Sequence, residues 1–260
     1  MTASTPSQTY RARADLLQDR IILVTGASAG IGREAALSYA RHGAHLILLG
    51  RDSARLAALA QQIVAEGAPH PHLISCDLLT LDEAQSRALA ADLSQRVTHL
   101  DGLLHSAGLL GNLAPLARQD YRQWQAVMQV NVNAQFLLTR DLLPLLQRAT
   151  RASLIFTSSS VGRQGRAGWG AYAVSKFATE GMMQVWAEEL AATTVRVNAI
   201  NPGATRTAMR ASAYPDEDPL TLLTPAQIMP LYLYLMGDDS QNEHGRSLDA
   251  QPNRRPGRAG

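Results

Sequence analysis

Short aliphatic runs alternate with longer segments of helical spacing along almost the whole chain, and this rhythm narrows the fold more than any other feature. Ile21-Ile22-Leu23-Val24 leads into a helical pattern from Ile31 to His42, stopped by Gly43. His45 to Leu49 leads into Asp52 to Glu66, where Leu56, Leu59, Ile63 and Val64 share a face before Gly67. His72 to Ser75, a helix from about Leu81 to Arg96, and Leu100 to Leu104 extend the pattern. A long helix from about Asp120 to Gln147 follows, with Trp124, Val127, Met128 and Leu138 as packing positions. Then come a strand from Ser153 to Thr157, a helix from Ala171 to Ala192 and a strand from Val195 to Ile200. Strands joined by helix-length crossovers pair in parallel, and such a sheet needs both faces covered. The expectation is an α/β fold, a Rossmann-type doubly wound parallel sheet flanked by helices.

No repeat, linker or composition break divides the chain, so a single domain is expected over 17–250. Residues 1–16 read as a flexible N-terminal segment and 251–260, rich in Pro, Gly and Arg, as a loose tail. Pro202 to Thr224 carries three prolines and the acidic run Asp216-Glu217-Asp218, the composition of a functional lid or mobile loop.

Composition excludes several classes. A net charge of +2, with arginines scattered rather than clustered, gives no reason to expect nucleic acid or a membrane surface as partner. The one cysteine, Cys76, rules out an internal disulfide and fits a reducing compartment; it reads as a small buried hydrophobe at a strand end. No apolar run approaches the ~18 residues of a membrane span, and residues 1–20 lack a signal-peptide core. A cytoplasmic protein acting on small molecules is expected.

Between the first strand and first helix lies Thr25-Gly26-Ala27-Ser28-Ala29-Gly30-Ile31-Gly32. Glycine there permits a tight turn and close backbone approach, while the helix N-terminus offers free N–H groups and a positive dipole to a pyrophosphate. Placed directly after a strand and opening a helix, the turn points to dinucleotide binding through Gly26, Ser28, Gly30, Ile31 and Gly32. The first side chain past the second strand is Arg51. An arginine there accommodates a 2′-phosphate where an acid would grip a ribose hydroxyl, which favours NADP(H) over NAD(H). The neighbouring Asp52 reads as a helix cap.

The chain has a single lysine, Lys176, among 24 Lys and Arg residues. It stands four residues after Tyr172, in Tyr172-Ala173-Val174-Ser175-Lys176, so on a helix the two share a face. A cation there would favour phenolate and draw the tyrosine pKa down from about 10. Lysine, unlike arginine, is a compact donor whose own pKa can move.

With the glycine turn, Tyr172 and Lys176, the chain resembles the short-chain dehydrogenase/reductase family from about Leu17 to Ala250. The segments 156–165 and 176–183 look similar to its YciK-like bacterial oxidoreductases, a resemblance that supplies no substrate. It implies a four-residue catalytic set of Asn131, Ser159, Tyr172 and Lys176. Ser159 is chosen over Ser158 and Ser160 by its spacing of thirteen from the tyrosine and by strand alternation. It further implies that Asp77 contacts adenine, that Ala107 and Gly108 form the turn beside the cofactor, and that Pro202, Gly203 and Thr207 hold the nicotinamide carboxamide. Tyr172 would be general acid and base, Ser159 would hold the carbonyl oxygen, Lys176 would bind ribose hydroxyls, and Asn131 would hold a water on the way to solvent. The implied reaction moves a hydride between nicotinamide and a carbonyl or secondary alcohol carbon. Family members usually associate, so a homodimer or homotetramer is expected.

Two departures stand out. The family's Asn-Asn-Ala-Gly reads His105-Ser106-Ala107-Gly108 here, shortening a brace and making His105 a structural histidine rather than an acid or base. The usual Asp-Gly-Gly near the end reads Asp249-Ala250-Gln251, which bears on assembly more than on chemistry. Candidate pocket walls are Leu109 to Leu113, Arg163 to Trp169, Met209, Tyr214 and Pro215. They suit a medium-sized, partly apolar ketone, aldehyde or alcohol, with a carrier-bound acyl chain as the alternative. Arg163 and Arg166 are either anion ligands or, the commoner case, solvated loop residues. From a different class stands a catalytically silent, dinucleotide-sensing regulatory or scaffold protein on the same fold, whose mark would be loss of the tyrosine or lysine.

Overall fold

The computed structural model describes residues 9–252. Strands form where the apolar runs place them: β1 Ile21–Thr25, β2 His45–Gly50, β3 His72–Ser75, β4 Gly102–His105, β5 Ala152–Thr157 and β6 Val195–Asn201. A further strand, β7 Arg246–Asp249, was not expected, because Arg-Ser-Leu-Asp carries no apolar run; pairing with β6 specifies it. All pair in parallel, in the order β3-β2-β1-β4-β5-β6-β7. The chain builds outward from β1 to β3, then returns beside β1 with β4 and builds the other way. That reversal opens a crevice beyond the C-terminal ends of β1 and β4, where sheets of this kind bind ligands.

The helices are α1 Gly30–Arg41, α2 Ser53–Ala65, α3 Glu83–Arg96, α4 Tyr121–Met128, α5 Ala134–Gln147, α6 Gly170–Leu190, α7 Ala208–Ala213 and α8 Met229–Met236. Side-chain alternation along each strand divides the core. Ile22 and Val24 enter the layer made with α1, α2 and α8, while Leu23 enters the layer made with α3, α5 and α6. Every residue of β5 is buried, as a central parallel strand requires. Each large aliphatic side chain so buried stabilises the fold by about 1.5–3 kcal/mol.

The single long helix expected over 120–147 is interrupted. A wide turn at Gln129–Asn133 separates α4 from α5, and such turns gather at functional sites because they displace one side chain from helical register. The displaced residue is Asn131, wholly buried.

The N-terminal stretch also differs from expectation. Within 9–16, Tyr10 donates to Asp239 at 2.6 Å and meets Tyr234 edge-on at 5.2 Å, and Leu16 is buried. This part therefore lies against the body, and 1–8 fall outside the described residues. Gln251, expected to begin a loose tail, is buried; 253–260 fall outside the described residues. Among the described residues no helix is long and apolar enough to cross a membrane, and no acid, histidine and cysteine cluster could hold a metal.

Candidate active site

The glycine turn is packed too closely for side chains. Gly26 has φ +67°, and a Cβ there would lie 2.7 Å from Ala107 Cα; one at Gly32 would lie 2.5 Å from Gly26 O. The turn after β1 thus presses on the loop after β4. Thr25 joins the two, its Oγ1 accepting from Ser106 N at 3.1 Å and Ala107 N at 3.2 Å. With those backbone donors anchored, the His105-Ser106 replacement leaves the turn braced.

The start of α1 is left uncapped by side chains. Asp52, Asp82, Asp120 and Thr207 cap α2, α3, α4 and α7, whereas α1 has no side-chain cap and no acid in its first turn. Its free N–H groups and dipole fit a pyrophosphate. Around this cradle, Ser28 Oγ lies 3.4 Å from where a Gly50 Cβ would be, and the Thr207 methyl 3.6 Å from where one at Gly30 would be. Arg51 is exposed at the end of β2. Asp77, exposed past β3, accepts from Leu79 N at 3.0 Å. A Cβ at Gly108 would lie 4.0 Å from Lys176 Nζ, so the cradle runs into the catalytic candidates. The open helix start, the close-packed glycines and the exposed Arg51 together suit a dinucleotide. Pro202 and Gly203 begin the loop opposite. There Gln251 Nε2 donates to Pro202 O at 2.9 Å and Ala204 O at 3.0 Å. Gln251 of the Asp249-Ala250-Gln251 departure thus braces a loop of the site.

Ser159 follows β5, and its hydroxyl acts on the Tyr172 phenol. Ser158 turns away to donate to Glu180, as alternation requires. Tyr172 opens α6 and is 9 % exposed. Burial pushes its pKa up to about 12, with the Ser159 hydroxyl acting in the opposite direction. This overturns the expectation that lysine draws the phenol below its usual value: in this structure desolvation prevails. Lys176 Nζ lies 5.6 Å from the centre of the Tyr172 ring and donates to Thr157 O at 2.8 Å. Burial brings the Lys176 pKa down to about 8, against the upward pull of Glu180.

Asn131 joins two elements. Its Oδ1 accepts from Leu109 N at 2.7 Å, and its Nδ2 donates to Leu109 O and Ser175 Oγ, both at 2.9 Å. The side chain thus ties the loop after β4 to α6, at the residue before Lys176. His105 is structural, as expected: it stacks on Phe156 at 5.0 Å, and Nε2 meets Thr139 Oγ1 at 2.8 Å. Burial, then the charge of Lys176, brings its pKa down to about 3. Cys76 is only half-buried, because β3 lies at the sheet edge, and burial still raises its pKa.

Beside Tyr172 the wall is apolar: Val161, Trp169 and Ala173, with Leu110, Leu113, Met209, Ala213 and Tyr214 packed against them. Trp169 bridges Tyr172 and Tyr214 at 5.8 and 6.0 Å between ring centres. The expected lid is ordered by its own contacts, since Arg210 pairs with Glu217 at 2.6 Å and lies over Tyr214 at 3.6 Å. Arg163 is exposed, and its charge is matched within the chain. It pairs with Glu180 at 3.2 Å and Asp249 at 2.8 Å. Sequence reading missed Glu180 and Gln251; Glu180 was findable, four residues past Lys176 on the same face.

A doubly wound sheet with this cradle and a Ser-Tyr-Lys cluster at its reversal point defines the class, and the model of the short chain dehydrogenase family matches residues 20–218. The chain belongs to that family. It is 60% identical over 248 residues to the uncharacterized oxidoreductase YciK of Escherichia coli K12, covering 95% of this chain and 98% of that protein. Two solved short chain dehydrogenases, from Shigella flexneri 2a strain 301 complexed with NADP and from Escherichia coli CFT073 complexed with NADPH, are each 60% identical with a TM-score of 0.91. They cover 92% and 93% of this chain and 100% of their own.

Proposed function

We propose that this protein is an NADP(H)-dependent oxidoreductase that interconverts a carbonyl and a secondary alcohol, with Tyr172, Ser159, Lys176 and Asn131 as its working set. The observation that carries the reading is the placing of Lys176 Nζ 5.6 Å from the centre of the buried Tyr172 ring, with the Ser159 hydroxyl acting on the same phenol. When bound, the nicotinamide supplies or accepts the hydride. As negative charge develops on a carbonyl oxygen, Ser159 donates to it and Tyr172 delivers a proton; the roles reverse in oxidation. A phenol with a pKa near 12 is a poor base alone; the Ser159 hydroxyl acts against that rise, and the Lys176 ammonium, 5.6 Å from the ring centre, is the nearby charge that would favour phenolate as it forms. Gly26, Ser28, Gly30, Ile31, Gly32, Ala107 and Gly108 would hold the dinucleotide, with Arg51 on the 2′-phosphate, Asp77 at the adenine and Pro202, Gly203 and Thr207 at the nicotinamide. The NADP and NADPH complexes of the similar structures support that choice.

The wall around Tyr172 suits a neutral, medium-sized, partly apolar substrate, and the single cysteine suits the cytoplasm. Exposed Tyr121, Phe136, Phe177 and Val185 on α4, α5 and α6 support association into a homodimer or homotetramer. The test is NADPH and NADH oxidation against ketones, aldehydes and quinones, with Tyr172→Phe alongside. The variant should bind NADPH nearly as the parent does while turnover falls by orders of magnitude. Equal turnover would refute the role of Tyr172, and tight NADPH binding without turnover on any carbonyl would favour a sensor.

A further inference from the structure

Glu180 lies on α6 one turn beyond Lys176 and two beyond Tyr172, on the same helix face. It is 6 % exposed, and an ionised carboxylate so placed needs strong partners. It has them in the Ser158 hydroxyl, Ser247 Oγ at 2.8 Å and Arg163 Nε at 3.2 Å. Arg163 continues to Asp249 at 2.8 Å, which accepts from Asn201 Nδ2 at 2.8 Å. These groups come from the end of β5, the turn after it, β7 and the end of β6. Ser158 directly precedes Ser159, and Asn201 directly precedes Pro202. One carboxylate therefore fastens α6 to the two segments that carry the reacting serine and the nicotinamide loop.

We propose that Glu180 is the positioning residue of this active site: it fixes the Ser159 strand end against α6 and supplies the negative charge that keeps Lys176 an ammonium inside the protein. The proposal rests on the oxidoreductase reading above. The charged and titratable groups around Lys176 are few. Tyr172 and Glu180 face it from its own helix and His105 from β4, while Arg163 and Asp249 stand behind Glu180. Tyr232 of α8 interacts with Tyr172. The two tyrosines and His105 are neutral at working pH, the phenols pushed up by burial and the histidine down to about 3. Glu180 is thus the anion on the Lys176 face of the helix, and Arg163 is the cation that tempers it.

Because the chain has one lysine, protein made with carbon-13 lysine gives one side-chain signal, whose pH titration reads Lys176 without substrate or turnover. Glu180→Gln keeps the shape and an acceptor oxygen but removes the charge. The Lys176 midpoint should fall by roughly half a unit or more, and the alkaline limb of kcat/KM for ketone reduction should move with it. Arg163→Gln removes the tempering cation from the more exposed side, so the midpoint should rise. Opposed shifts are a signature that a merely structural role does not produce. Midpoints that coincide with the parent, or that move together in both variants, would overturn the proposal. Should Glu180→Gln fail to fold, Arg163→Gln decides alone, and no rise overturns it. Opposed shifts in a protein that turns over no carbonyl would refute the oxidoreductase reading while leaving the hold of Glu180 on Lys176 in place.

Discussion

The ammonium of Lys176 lies 5.6 Å from the centre of the Tyr172 ring, held by its bond to the Thr157 carbonyl. Both groups are buried, and burial drives them apart on the pH scale: the phenol up to about 12, the amine down to about 8. Lysine, not tyrosine, is then the group that titrates first on the alkaline side.

That order predicts the shape of the pH profile. The Lys176 charge is present below about pH 8 and lost above it, so kcat/KM for ketone reduction should fall about tenfold per pH unit beyond that point. Initial rates from about pH 6 to about pH 10 at saturating NADPH would show it. A profile flat to pH 10 would mean that the amine keeps its proton or that its charge is not used.

Coenzyme choice is predicted from Arg51, exposed one residue past β2. A charge-assisted bond to a 2′-phosphate is worth about 1.5–3 kcal/mol, or roughly 10- to 100-fold in binding. Arg51→Asp should lower the ratio of kcat/KM for NADPH over NADH by that factor while leaving maximal turnover with the preferred coenzyme within a few-fold. An unchanged ratio would remove Arg51 from the site.

Substrate charge is a separate prediction. Arg163 and Arg210 both stand near the wall around Tyr172, yet each is paired, with Glu180 and Asp249 in one case and with Glu217 in the other. A carboxylate substrate would have to be desolvated against Leu110, Leu113, Trp169 and Met209. Methyl 4-acetylbenzoate should therefore be reduced at least about tenfold more efficiently than 4-acetylbenzoate, a loss of roughly 1.4 kcal/mol or more on charging one end. Equal efficiencies would show that one of these ion pairs opens to receive an anion.

Much of this was written in the chain, and the exceptions have physical causes. Local pattern marks β1 through β6 and the cradle, because strand burial, helix stops and glycine spacing are properties of neighbours in sequence. β7 escapes, since only pairing with β6 makes Arg-Ser-Leu-Asp a strand. The break at Gln129–Asn133 escapes for the same kind of reason: the pull on Asn131 comes from Leu109 and Ser175, 22 and 44 residues away. The positions of Tyr172 and Lys176 were legible, but the direction of the tyrosine shift was not. Sequence shows the neighbouring charge and hides the desolvation that outweighs it.

Acid stability supplies the last prediction. His105 is buried, and its Nε2 meets the Thr139 hydroxyl while Nδ1 has no partner. A proton on the ring would leave an N–H donor unsatisfied in the core and place a second cation near Lys176, which is why its pKa falls to about 3. Unfolded, the histidine takes a proton near its usual pKa of about 6.5. Between those values the unfolded chain binds the extra proton, so stability rises with pH and is lost as pH falls below about 6.5 toward 3. The slope from this one residue is at most about 1.4 kcal/mol per pH unit. His105→Asn, which restores the residue usual in the family and does not titrate, should flatten the fall in urea unfolding free energy from about pH 6 to about pH 4. Its stability at neutral pH is free to move either way with the loss of the Phe156 stack. Parallel slopes for parent and variant would show that His105 is protonated in the folded protein and that its pocket accommodates the charge.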